Sequence, residues 1–134
     1  MEIIKLNGND NRLYSLVARL VMSPAVLRQN NNYPFKTTLH HTWYVALDGG
    51  TVAGFLPVKR TSAGHCIDNY YVRGDSEQTL GELVREVVDD TQGPLLAVVH
   101  KRHVKSFAER GFVTRTGWTK YEKMQYVRSK SAAE

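Results

Sequence analysis

The chain has 134 residues, a length that fits one domain. With 42% hydrophobic and 23% charged residues, its composition is that of a globular protein and excludes a disordered or fibrous one. No apolar run approaches a membrane span and no signal peptide opens the chain, so we expect a cytoplasmic protein without a membrane partner. The single cysteine, Cys66, excludes an intrachain disulfide and a cysteine-based metal cluster.

The charge balance favours anionic partners. Lys and Arg total 18 and Asp and Glu total 13, which gives a formal net charge of +5. Phosphate-bearing small molecules, nucleic acids and acidic proteins all satisfy such an excess. The excess is too small to choose among them.

The chain opens with a short apolar strand, residues 1–6, followed by two helices. Asp10, or Asn9 before it, can cap the first helix. Its apolar positions recur at spacings of three and four residues, which places them on one face: Leu13, Leu16, Val17, Leu20 and Val21. Ser23 and Pro24 predict the start of a second, short helix, with Ser as its cap and Pro as its first residue.

A β-hairpin and a further strand come next. Residues 41–47 and 51–59 flank the turn at 48–50, Asp-Gly-Gly, which is typical of a hairpin. Gly54, inside the second of these strands, indicates a bulge or a close backbone approach. Residues 65–72 end in aromatic and β-branched side chains and predict another strand.

The stretch after that strand runs from a turn straight into a helix. Residues 73–75, Arg-Gly-Asp, predict the turn, and Ser76 can cap a helix that starts at Glu77. One helix face is apolar: Leu80, Leu83, Val84, Val87 and Val88. The unpaired N–H groups and the dipole at such a helix start suit a phosphate. The alternative is an ordinary strand-to-helix turn that binds nothing.

The last part of the chain adds a strand, a helix and two strands. Residues 94–99 predict a buried strand, and residues 103–110 a short helix that Gly111 ends. Strands follow near residues 112–113 and 121–127. This order of elements predicts one α/β domain in which helices flank a mixed sheet.

Three short motifs in this order resemble the GNAT superfamily, the acyl-CoA-dependent N-acyltransferases. FAERGF at 107–112 is similar to the "YEKLGF" signature of that superfamily. DGGTVAGFLPV at 48–58 resembles its second hairpin, and YEKM at 121–124 resembles its closing strand. The resemblance covers residues 1–127. It implies transfer of an acetyl or other acyl group from acyl-CoA, the co-substrate, to an amine acceptor.

The resemblance also implies a fold and a cleft. We expect a single GNAT-like domain over residues 1–128, with a mixed, mostly antiparallel twisted sheet, and a frayed tail at 129–134. The fourth strand, 65–72, should splay from the fifth, 95–99, and acyl-CoA should lie in that gap. The CoA contacts implied in this way are Tyr71, Val72, Arg73, Ser76, Gln78, Thr79, Gly81 and Phe107.

The phosphate-binding motif departs from the family pattern of Gln or Arg, two residues, Gly, one residue, then Gly or Ala. Aligned by the apolar helix face, the pattern falls on residues 76–81, where only Gly81 matches. Ser76 stands for Gln or Arg, and Thr79 for the first Gly. An alternative alignment uses residues 73–74, Arg-Gly, but misplaces the apolar positions. We therefore expect backbone N–H groups to supply most of the pyrophosphate contacts, against opposition from Glu77.

The catalytic position that the family fills with Tyr, as an acid toward the CoA thiolate, is Phe107 here. Phe cannot donate a proton, so Tyr121 and Tyr126 are candidate substitutes, with ordinary aromatic packing as the alternative. His100 ends the fifth strand, where many members carry Asn. It suits a base or proton relay, or is a solvated residue at a strand end.

Asp68 and Asn69 lie beside the expected acyl carbonyl. Asp68 is either a general base for the amine or a solvated carboxylate. Four other histidines lack the spacing of a metal site with a carboxylate, so we expect no metal: His40, His41, His65 and His103. We expect a monomer or a homodimer.

Two rival functions remain open at this stage. Basic residues at 101–105 favour a GNAT-like protein that binds or modifies nucleic acid. The aromatic residues Trp43, Trp118 and Tyr121, which we expect to be exposed, favour the same function. The basic stretch is otherwise a solvated face. The altered phosphate motif and Phe107 favour a binding module that has lost CoA chemistry.

Overall fold

Helices cover both faces of an eight-stranded sheet in the computed structural model, which describes residues 1–128. The predicted tail, residues 129–134, lies outside the described residues. In chain order the elements are β1 (Glu2–Asn7), α1 (Asn11–Val21), α2 (Pro24–Gln29), β2 (His41–Asp48), β3 (Thr51–Thr61), β4 (Gly64–Ile67), β5 (Tyr71–Val72), α3 (Glu77–Asp90), β6 (Leu95–His100), α4 (Val104–Ala108), β7 (Phe112–Gly117) and β8 (Tyr121–Tyr126). Within residues 1–128 no helix has both the length and the apolar character needed to cross a membrane.

The helix starts agree with the predicted caps. The side chains of Asp10 and Ser76 accept hydrogen bonds from backbone N–H groups two and three residues later, at 2.8 and 3.2 Å. Ser23 caps α2, and Pro24 is its first residue. The last helix is shorter than predicted, because residues 101–103 form a separate 3-10 turn before it.

The sheet is mixed and mostly antiparallel, as predicted. Its strand order is β1-β2-β3-β4-β6-β8-β7, with β5 paired to β3. Among the strands of residues 1–128, only β4 and β6 run parallel to each other. Gly54 on β3 allows a close approach, since a Cβ there would lie 2.7 Å from the carbonyl oxygen of Tyr71 on β5.

The predicted strand 65–72 is broken into β4 and β5 by a β-bulge. Residues 68–70 lie opposite only two residues of β3, and Asn69 takes a left-handed conformation with φ of 53°. Before the bulge β4 pairs with β6, up to the pair formed by Ile67 and Ala97. After it, β5 follows β3 alone. The bulge is thus where the two strands splay, which confirms the predicted divergence.

Two apolar clusters hold the sheet between its helices. One lies under α3 and α4 and includes Leu56, Val84 and Phe107. The other lies under α1 and α2 and includes Val17 and Phe55, but it takes no described residue from β6, β7 or β8. On the α1–α2 side, no helix of residues 1–128 therefore packs on the face of β6, β7 and β8.

Candidate active site

The gap between the splayed strands is filled by the side chain of Tyr70. Its ring is 2% exposed and packs against His100, His103 and Phe107 at centroid distances of 5.3, 5.5 and 5.7 Å. The Tyr70 oxygen accepts a hydrogen bond from the backbone N–H of His100 at 3.2 Å. Residue 70, in the bulge, thus bonds residue 100 at the end of β6 across the gap.

An ion pair closes the gap at the start of α3. Asp75 accepts hydrogen bonds from Nε of Arg102 at 3.1 Å and from Nε2 of His103 at 3.0 Å. Although burial opposes the shift, the hydrogen bonds and charge of Arg102 lower the pKa of Asp75. Arg102 also donates to the carbonyl oxygen of Gln29, at the end of α2, at 3.0 Å. Three segments of the chain therefore meet at one guanidinium group.

The two histidines of this cluster are neutral near pH 7. Burial, aided by the charge of Arg102, lowers the pKa of His100 to about 4. Burial also lowers the pKa of His103. Because Asp75 is ionised, the single His103 proton belongs on Nε2, so Nδ1 accepts from the Tyr70 hydroxyl at 2.8 Å. Tyr70, His103 and Asp75 thus form one hydrogen-bonded chain.

Most polar groups in the first turn of α3 already contact other groups of the protein. The Ser76 hydroxyl oxygen accepts from the backbone of Thr79, which is itself buried, and Glu77 accepts from the hydroxyl of Ser106 on α4 at 3.3 Å. A Cβ at Gly81 would collide with the guanidinium of Arg110. Gly81 thus makes room for an arginine in this structure.

The other residues predicted to bind CoA are spread apart. Tyr71 and Val72 are buried on opposite faces of β5, in the two different apolar clusters. Arg73 lies 3.7 Å from Asp48 at the hairpin turn. Gln78 lines a cavity of about 550 Å³ between α3 and α4, beside Gly81 and Arg110. Phe107 is fully buried, and its ring packs edge-on against Phe112 at 5.2 Å.

A second cavity, of about 620 Å³, opens at the bulge on the α1–α2 side of the sheet. Its floor includes Asp68, Asn69 and Val98, and its walls come from the α2–β2 loop and the β7–β8 turn. Tyr121 also lines it. Burial raises the pKa of Asp68, although the N–H of Asn69 donates to its carboxylate at 2.8 Å. This cavity therefore has one acidic group at its base.

The three predicted catalytic residues lie in one region. Asp68 and Tyr121 line the same cavity, and His100 lies behind Tyr121 with ring centroids 4.8 Å apart. Asn31 donates to the Tyr121 oxygen at 3.0 Å and lies 3.5 Å from Nδ1 of His100. Tyr126, the alternative tyrosine, packs on Phe112 at 5.4 Å on the other face of the sheet.

Comparison with solved structures identifies the architecture. Escherichia coli ElaA is 12% identical, and the match covers 95% of this chain and 100% of that one with a TM-score of 0.72. An acyl-CoA N-acyltransferase from Pseudomonas aeruginosa is 15% identical, and the match covers 95% of this chain and 100% of that one with a TM-score of 0.68. Tetrahymena GCN5 is 14% identical, and the match covers 94% of this chain and 95% of that one with a TM-score of 0.67. The chain has the GNAT fold. By sequence alone, no family model and no curated protein matches it.

Within this GNAT fold, sequence reasoning missed the residues that fill the gap. Tyr70 carried no signal of its own, because the bulge changes which of two adjacent tyrosines faces the α3 side. Asn30 and Asn31 were interpreted only as a helix end, yet Asn30 is 1% exposed and donates to Asn69 at 2.9 Å. The sequence feature that could have indicated their role is the run of three asparagines at 30–32, because one residue suffices to end a helix.

Two sequence-based expectations about the surface need correction. Trp43, expected to be exposed, is 2% exposed, because it lies on β2 beneath α1 and packs on Phe55 at 5.1 Å. The basic stretch at 101–105 is partly neutralised, since Lys101 pairs with Glu122 at 3.0 Å and Arg102 with Asp75. In residues 1–128 no three His, Cys, Asp or Glu side chains are grouped to hold a metal ion.

Proposed function

We propose that this protein transfers an acyl group, such as acetyl, from acyl-CoA to an amine. The observation that carries the proposal is the splay of β4 and β6 at a bulge whose Asp68 and Asn69 open into a cavity of about 620 Å³. In this proposal the acyl-CoA thioester approaches from one side of the splayed strands, and the amine acceptor binds on the other side. The GNAT fold supports acyl transfer in general.

In this proposal Asp68 receives the proton of the amine. The amine nitrogen attacks the thioester carbonyl carbon, the C–N bond forms, the C–S bond breaks, and the thiolate takes up a proton from solvent or Tyr121. Asp68 suits its role because burial raises its pKa toward the range in which a carboxylate accepts protons effectively. Burial also raises the pKa of Tyr121, which keeps that hydroxyl protonated.

His100 has a positioning role in the same proposal. With a pKa of about 4 it is a weak base, so it does not compete with Asp68 for the amine proton. Its ring supports Tyr121 from behind, and both side chains are in reach of Asn31. His100 thus helps to hold the Tyr121 hydroxyl at the cavity.

We further propose that acyl-CoA is held by the splayed strand and the start of α3. The residues concerned are Tyr71, Val72, Arg73, Ser76, Gln78, Thr79, Gly81 and Phe107. Backbone N–H groups at the start of α3 are the main phosphate donors in this proposal. The N–H of Thr79 is not one of them, because it donates to the Ser76 hydroxyl oxygen at 3.2 Å. Entry of CoA requires Tyr70 to leave the gap and the bridge from Asp75 to Arg102 to open.

The filled gap favours a second candidate, a binding module without CoA chemistry. In that case the contacts of Tyr70 and Asp75 are permanent parts of the core. They would stabilise the splay in the way that a pairing strand does elsewhere in a sheet.

Calorimetry with acetyl-CoA and with CoA decides between the two candidates. We expect acetyl-CoA to bind the wild-type protein weakly, and to bind Arg102→Ala more tightly because the bridge no longer has to be broken. A panel of amines, with release of free thiol as the readout, then tests turnover. If neither protein binds either ligand at millimolar concentration, acyl transfer is excluded and the binding module stands.

A further inference from the structure

The uncovered half of the sheet carries a basic trough on its α1–α2 side. We define it by five basic residues around the bulge and the two last strands: Lys36, Lys59, Arg115, Lys120 and Lys123. The cavity of about 620 Å³ contains Lys36 and Lys120, and a neighbouring cavity of about 260 Å³ contains Lys36 and Lys59. The cavities share Asp68 and Asn69 as well, so they form one continuous depression.

These five cations are free of carboxylates. Among residues 1–128, no Asp or Glu lies within 4 Å of any of them. Elsewhere on the surface some cations are paired, as Lys5 is with Asp90 at 3.0 Å. The only carboxylate lining the two cavities is that of Asp68. The trough therefore presents uncompensated positive charge.

The charge is also distributed unevenly over the molecule. Of the 13 acidic residues, five lie on α3, on the opposite side of the sheet: Glu77, Glu82, Glu86, Asp89 and Asp90. The carboxylates of α3 and the cations of the trough thus lie on opposite sides of the sheet. Such a field orients an approaching polyanion toward the trough.

Exposed aromatic rings line the same depression. Tyr33 and Trp118 are 56% and 48% exposed, and both border the larger cavity. Tyr33 also contacts Tyr121, with ring centroids 6.1 Å apart. Flat rings beside unpaired lysines can stack bases while the lysines contact phosphates. A polyanion without bases, such as an acidic peptide, would leave these rings without a partner.

We propose that the trough binds single-stranded nucleic acid, with bases on Tyr33 and Trp118 and phosphates on the lysines. A single strand fits better than a duplex, because paired bases keep their faces stacked and cannot lie on protein rings. This proposal does not rest on acyl transfer, since strand binding needs no CoA. If both proposals hold, the acceptor is an exocyclic amine of a nucleobase, and that step alone rests on the proposed function.

Fluorescence anisotropy with labelled single-stranded DNA and RNA, without CoA, tests the proposal. We expect Lys120→Glu combined with Lys123→Glu to weaken binding about tenfold or more. The slope of log affinity against log salt should fall by about 1.4, because each phosphate contact contributes about 0.7 for single strands. Trp118→Ala should weaken binding by about tenfold, and Trp118→Phe should retain most of it.

The matched control is Arg85→Glu combined with Lys105→Glu, which changes the net charge equally on the α3–α4 side. Binding close to that of the wild type in this control supports the trough. Three outcomes would overturn the proposal: equal loss of binding in both double variants, tighter binding of duplex than of single strand, or no binding by the wild type. Circular dichroism of each variant establishes that it is folded. Calorimetry with acetyl-CoA is a separate measurement, so failure of one proposal leaves the other standing.

Discussion

Nε of Arg102 donates to the carboxylate of Asp75 at 3.1 Å and thereby joins the turn before α3 to the turn before α4. These are the two segments between which an acyl-CoA would have to pass. Both side chains are about 40% exposed, so the pair contributes little to stability, roughly 0–1 kcal/mol. We call this ion pair of Asp75 and Arg102 the latch, because a ligand that enters between the two segments could open it at a small cost in free energy.

Asp75→Asn should therefore accelerate acetyl-CoA binding several-fold and lower stability by no more than about 1 kcal/mol. Stopped-flow binding and urea unfolding measure the two effects. Asp90→Asn is the matched control, since it removes the same charge from an ion pair, with Lys5 at 3.0 Å, that is not part of the proposed CoA site. Equal binding rates in the two variants would show that the Asp75 contacts do not limit entry.

Tyr70→Phe should destabilise the protein by about 1–3 kcal/mol, because it leaves the buried N–H of His100 and Nδ1 of His103 without their partner. The ring and its packing are retained. Urea unfolding at pH 7 measures the change, with Tyr14→Phe as the control because Tyr14 is exposed. A cost equal to that of the control would mean that water satisfies both groups and the gap is open.

His100 should make stability fall below neutral pH. Its pKa is about 4 when folded and 6.5 when unfolded, so the unfolded chain binds the extra proton between these values and stability rises with pH there. The full effect is on the order of 3 kcal/mol, and His103 acts in the same direction. His100→Asn should flatten the dependence in unfolding measurements from pH 7 to 4.5. An unchanged slope in this variant would assign the effect to other groups.

Asp68→Asn should lower kcat/KM about 10²- to 10⁴-fold if the proposed general base is correct. The activity of the wild type should fall as pH drops through the raised pKa of Asp68, and the variant should lose this limb of its pH profile. Stability should not decrease, because the raised pKa of Asp68 means that its ionised form is disfavoured in the folded protein. A variant that keeps the wild-type profile would contradict the assignment.

Gly81→Ala should show the role of Arg110 in a double-mutant cycle. In an Arg110→Ala background, Gly81→Ala should stabilise the protein by about 1 kcal/mol, the helix preference of Ala over Gly. In the wild type the new Cβ displaces the guanidinium, which donates to the carbonyl of Ser106 at 2.8 Å, and the gain should be smaller or reversed. Equal effects in both backgrounds would remove Arg110 as the reason for glycine.

Most helices and strands, and their order, could be predicted from the sequence. Asp10, Ser23 and Ser76 were identified as caps because capping depends on groups within three residues of each other. The apolar face of α3 and the hairpin around residues 48–50 were predicted for the same reason, since periodicity and turn chemistry are local. These local features also carried the resemblance to the GNAT superfamily, and that resemblance predicted the splay of strands 65–72 and 95–99. They placed Asp68 and Tyr121 as candidates, and the fold brings the two to one cavity.

The occupant of the gap between the splayed strands could not be predicted from the sequence. The bulge at residues 68–70 changes the side on which each following residue lies, so Tyr70 enters the gap and Tyr71 the other cluster. Asp75 meets Arg102, 27 residues away, because two turns end at the same edge of the sheet. Trp43 is buried for a similar reason, since α1 lies over β2. Such pairings depend on packing between distant segments, which no local pattern encodes.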